Sequence, residues 1–134
     1  MSKVDGAFVG AGTVLNPADL ERSVKAGSRF IVSPGLTASL ADAARDHDMP
    51  FLPGVANAGD IMRGLDLGLT RFKFFLAVTN GGIPALKSLA SVFGNVRFCP
   101  TGGITEASVP EWLALPFVFC VGGVWITAGE FAAK

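Results

Sequence analysis

The chain is punctuated at an almost constant interval, and that spacing limits what it can become. Apolar, β-branched or aromatic runs begin at Phe8 (FVGAGTV), Phe30 (FIVSPG), Phe51 (FLPGV), Phe72 (FKFFLAV), Val96 (VRFCPTGG) and Phe117 (FVFCVGG). They recur every ~20–25 residues, the length of a βα unit with short connections. Helical periodicity fills the gaps. Asn16-Pro17 opens ADLERSVKAG, and Thr37 opens ASLADAARDH. Asn57 opens AGDIMRGLDLG, Pro84 opens ALKSLASVFG, and Thr105 opens EASVPEWLAL, which Pro110 shortens or bends.

Strands apolar along their whole length, alternating with amphipathic helices, predict a mainly parallel sheet covered by helices. Right-handed crossovers leave an open doubly wound sheet or a (βα)8 barrel. A full barrel needs eight strands and about 250 residues. The 134 residues supply six runs and one domain, residues 1–134.

Composition removes other classes. Half the residues are hydrophobic, and 11 Lys and Arg balance 11 Asp and Glu, so disorder is excluded. The same balance, without a basic run, argues against binding nucleic acid or an anionic membrane. Phe117 to Ile126 is about half a membrane span and contains glycines. The start, MSKVDGAFVG, has an acid and glycines where a secretory leader needs an apolar core. Cys99 and Cys120 sit in apolar runs without metal-ligand spacing, as buried thiols of a cytoplasmic protein would. The single histidine, His47, has no partner for a metal pair. Neither a metal nor a cofactor is expected.

Lys73 carries the sharpest chemical signal. A lysine inside the aromatic strand Arg71-Phe72-Lys73-Phe74-Phe75 is costly to bury charged. Burial favours the neutral amine, which can attack a carbonyl and form an imine. The alternative is an edge-strand lysine whose stem reaches water. Pro100-Thr101-Gly102-Gly103 and then Gly122-Gly123 end the last two runs. Paired glycine turns there suit a barrel phosphate site, though tight βα turns also need glycine. Gly10-Ala11-Gly12-Thr13 lacks the later glycine of a dinucleotide fingerprint, so a nucleotide-binding module is disfavoured.

In this order, GAGTVLNP, FIVSPGLT, LPGVANAGD, LGLTRFKFF, FGNVRFCPTGGIT and FCVGGVW resemble the bacterial 2-keto-3-deoxy-6-phosphogluconate (KDPG) aldolases. These are class I aldolases built on a (βα)8 barrel. The resemblance implies that Lys73 forms an imine with pyruvate. It implies a pyruvate pocket of Thr13, Pro34, Phe75 and Thr101, and a phosphate site at Gly102, Gly103, Gly122 and Gly123.

The resemblance starts at the family's third strand. The first two βα units, with a proton-shuttling glutamate and a substrate-binding arginine, find no counterpart here. Where the family reads FFPAE, this chain has Phe75-Leu76-Ala77-Val78, and GGSW becomes Gly122-Gly123-Val124-Trp125. The expectation is a truncated, engineered or selected barrel fragment of about six parallel strands. It would be completed by self-association as a homo-oligomer, with exchanged elements as one form of it, and would have little or no activity. The alternative is a residual lyase cleaving KDPG to pyruvate and glyceraldehyde 3-phosphate through Lys73.

Overall fold

Helix starts are set by side chains that satisfy the first free amides. Asn16, Thr37 and Asn57 accept from the amides of Asp19, Leu40 and Asp60. They open α1 (Pro17–Lys25), α2 (Ala38–Asp46) and α3 (Ala58–Asp66). α1 and α3 share one device. Asp19 accepts from the Leu15 amide and pairs with Arg22, while Asp60 accepts from Ala56 and pairs with Arg63. The computed structural model describes residues 5–128. Residues 1–4 of the MSKVDGAFVG start and the final GEFAAK therefore lie outside the described residues.

Later helices depart from the sequence reading at their starts. α4 (Gly82–Val92) begins before Pro84, behind Gly81 at φ 99°. The segment after Thr105 is a 3-10 turn (Glu106–Ser108) followed by α5 (Val109–Leu113). Pro110 opens α5 rather than bending a longer helix, because a first-turn residue needs no amide donor. A short α6 (Trp125–Ala128) follows the last run.

All strand pairs are parallel. β1 (Ile31–Val32) pairs with β2 (Phe51–Leu52), and β3 (Gly54–Val55) pairs with β4 (Arg71–Phe75), which pairs with β5 (Arg97–Thr101). The third run is one strand interrupted by Pro53, which has no amide to give. Its carbonyl still accepts from Lys73 at 2.8 Å, so the run bridges both sheets. Of the six expected strands, the first and last runs are present as isolated bridges, Ala11 to Ile31, and Val118 and Gly122 to Phe98 and Thr101. Each has one sheet neighbour among the described residues, so pairing stabilises it from one side only.

Spatial order therefore follows chain order from the first run to the last. A doubly wound sheet would reverse direction at a switch point, and this one does not. The winding is that of a barrel wall. The last run gains a residue on β5: Phe98 to Thr101 spans three steps, and Val118 to Gly122 spans four. That is a β-bulge, which bends the strand.

The outer face of the sheet holds the larger core. Phe72, Phe74 and Phe98 pack there against Ile61, Leu86, Ile104 and Trp112. A second cluster of Val14, Leu20, Ile31, Leu40 and Ala44 lies under α1 and α2. Among the described residues no helix is long and apolar enough to cross a membrane.

Candidate functional site

Strand alternation decides which side chains leave the core. On β4, Phe72 and Phe74 are buried, while Lys73 and Phe75 turn to the inner face and are only half-buried. The register sets Gly54, Lys73 and Cys99 in one row and Phe75, Thr101 and Gly122 in the next. Lys73 thus has a neighbour without a side chain on one flank and a small thiol on the other.

Gly54 is required at its position. A Cβ there would run into the Pro34 carbonyl, which places Pro34 directly beside the Lys73 row. The Lys73 Nζ lies 4.1 Å from the centre of the Phe75 ring. The ring face attracts the ammonium but offers it no hydrogen bond. Burial lowers the Lys73 pKa below the usual lysine value, and negative charge on Cys99 partly opposes this. The Cys99 thiol is itself lowered to about 7. A hydrogen bond from Cys120 is the main cause, with help from Thr101 and Lys73, while burial opposes it. Cys120 moves up, mainly because it donates to Cys99.

The glycine turns sit at the carboxyl ends of the same strands. Gly102 and Gly103 have φ of 109° and 76°, a backbone that other residues rarely adopt. The chain after β4 runs along them: the Ala77 amide donates to the Thr101 carbonyl at 2.9 Å, and Val78 to Gly102 at 3.1 Å. Leu76 and Val78 consequently press against Gly102 and Gly103. Gly122 lies so close to Thr101 that a Cβ there would come within 2.7 Å of its hydroxyl, and the Trp125 ring covers Gly123. Leu76, Val78 and Val124 are exposed around these turns.

The fold therefore gathers Lys73, Phe75, Thr101, Gly102, Gly103, Gly122 and Gly123 at one end of one face, with Pro34 adjacent through Gly54. Thr13 lines a hollow of 320 Å³ with Gly12, Asp19 and Arg22 beside α1. A larger cavity of 530 Å³ opens at the opposite end, lined by Phe30, Phe51, Thr70, Arg71, Phe119 and Cys120.

The family model for KDPG and KHG aldolase matches residues 1–134. The chain belongs to that aldolase family. It is 60% identical over 126 residues to the 2-dehydro-3-deoxy-phosphogluconate aldolase of Zymomonas mobilis, covering 94% of this chain and 61% of that one. The chain thus spans about three fifths of the length of that relative. A crystal structure of the Zymomonas aldolase with 3-phosphoglycerate superposes with a TM-score of 0.91 at 60% identity, covering 92% of this chain and 59% of that chain. A Legionella pneumophila KDPG aldolase, with pyruvate captured as a covalent carbinolamine, superposes at 0.89 with 47% identity, covering 93% and 61%.

Two residues that shape this part of an aldolase-family fold were missed as site residues. Gly54 carried no signal of its own inside the FLPGV run, and Cys99 read as a buried thiol. The strand register, which spacing alone does not give, brings both beside Lys73.

Proposed function

We propose that this chain carries the imine-forming face of a KDPG aldolase, with Lys73 as the nucleophile. The observation that carries the reading is Lys73 itself: an amine on the inner face, lowered by burial and flanked by Gly54 and Cys99. The neutral amine adds to the ketone carbon of a 2-keto-3-deoxy acid, and loss of water leaves an iminium. That cation takes the electron pair of the breaking carbon–carbon bond, an aldehyde departs, and the enamine left behind is protonated and hydrolysed to pyruvate.

Phe75 and Pro34 would hold the pyruvate end by shape, and the Thr101 hydroxyl by hydrogen bonding. Thr13 is placed in the pocket by the resemblance, and it also lines the hollow beside α1. Backbone amides at Gly102, Gly103, Gly122 and Gly123 would receive the phosphate of KDPG. Residues 101–105 and 121–126 contain no Lys or Arg, so those amides act without a cation from either turn.

The step least provided for is proton transfer. Among the described residues, burial and Cys99 are what act on Lys73, and no carboxylate is among them. A positioned acid or base is worth ~10²–10⁴-fold. The chain alone is therefore expected to form the imine and turn over weakly. Retro-aldol cleavage of KDPG, followed through pyruvate by coupled lactate dehydrogenase, tests this. Slow release that Lys73→Arg abolishes supports the reading; equal release by that variant contradicts it.

The assembly follows from the same geometry. We propose that residues 1–134 are one βα domain; among the described residues its first and last runs present sheet edges, and Phe119 is exposed. We propose that a second copy covers these edges in a homo-oligomer. Light scattering after size exclusion checks it, and a monomer at micromolar concentration would contradict it. No engineered origin is needed for either part.

A further inference from the structure

Two thiols meet where β5 and the last run pair. Cys99 lies on β5, and Cys120 lies in the bulged stretch between the Phe98–Val118 and Thr101–Gly122 bridges. Neighbouring strands run about 4.8 Å apart, within the ~4.4–6.8 Å Cα separation that a disulfide spans. Counted back from the Thr101–Gly122 bridge, Cys99 falls opposite Cys120. The Thr101 Oγ1 stands 3.8 Å from the Cys99 sulfur, and Lys73 is its register partner. Both neighbours favour the thiolate. Cys120 also lines the 530 Å³ cavity, which gives a small oxidant a way in from the end opposite the glycine turns. The extra residue of the bulge supplies the slack that closing the bond requires.

We propose that Cys99 and Cys120 form a peroxide-sensitive dithiol that closes to a disulfide within one chain, next to Lys73. The Cys99 thiolate attacks one oxygen of hydrogen peroxide or an organic hydroperoxide. The O–O bond breaks, Cys99 becomes a sulfenic acid, and the leaving oxygen takes a proton and departs as water or alcohol. Cys120 then gives up its proton and its sulfur attacks that of Cys99. The S–S bond forms, and the hydroxide released combines with the proton as water. The peroxide gains two electrons, and the two thiols lose them. The bond ties β5 to the last run beside the register partner of Lys73.

The folded protein, treated with hydrogen peroxide and cleaved after Glu106 and Glu111, tests this. The two cysteines then fall on separate peptides. The expected result is a linked pair from one chain, a loss of about 2 Da for the intact protein, and reversal by dithiothreitol. Cys120→Ser should stop at a Cys99 sulfenic acid that dimedone captures. Two thiols left free, linkage only between chains, or linkage equally fast in urea would each overturn the proposal. Pyruvate trapping on Lys73 is read separately in the reduced protein, so loss of either result leaves the other standing.

Discussion

Along β4, neighbouring residues live in different environments. Phe72 and Phe74 are fully buried against the helices, while Lys73 and Phe75 between and after them are half-buried on the inner face. The outer face is closely packed: its rings lie against α3, α4 and α5, with Leu115, Val118 and Trp125 of the last segment. The inner face has an amine, a ring, a thiol and a hydroxyl, with exposed Phe119 beside them. Fold stability should therefore reside on one side of the strand and chemistry on the other, and substitutions one residue apart should separate them.

The largest contrast is expected at Phe72 and Phe75. Phe72→Ala should cost about 3–5 kcal/mol by urea unfolding, because it empties a fully buried site. Phe75→Ala should cost about 1–2 kcal/mol, since its ring is only partly removed from water. Equal losses would break the division between the faces.

Next comes the acidity of Cys99. A thiol at about 7 instead of 9.0 is ionised about 50-fold more at neutral pH. Its alkylation by iodoacetamide should rise through pH 7 and level off, while Cys120 lags. The lowered value also means that this group stabilises the fold above its unfolded pKa, and that this contribution fades as pH falls through about 7. A midpoint near 9 for Cys99 would contradict the hydrogen bond from Cys120.

A smaller effect is expected at Gly54. Gly54→Ala sets a methyl against the Pro34 carbonyl, on the flank of Lys73. It should cost about 1–3 kcal/mol and slow imine formation together with it. Stability lost with imine chemistry unchanged would show that the space over the amine is not set there. The smallest effect is local. Asn57→Ala removes the cap of α3 and should cost about 1 kcal/mol, without touching Lys73 reactivity.

The repeats and helix starts were legible because their signals are local. Asn16, Thr37 and Asn57 cap the helices they announce, and the aromatic run around Lys73 forms β4. What spacing could not give was pairing. The split of the third run at Pro53 and the extra residue near Cys120 depend on which amides face one another across strands. The site was legible in the same proportion. Lys73, Phe75 and Thr101 share a face because strand alternation is fixed, and the glycine turns follow from chain order. Gly54 and Cys99 became visible beside the amine only through register.

Borohydride trapping addresses the role of Lys73 most directly. The folded protein is incubated with pyruvate, reduced, digested and mapped by mass spectrometry. The expected result is one reduced pyruvate adduct, on Lys73, with Lys25 and Lys87 unmodified. No adduct at millimolar pyruvate, or labelling spread evenly over the lysines, would contradict the assignment of the inner face as the seat of chemistry.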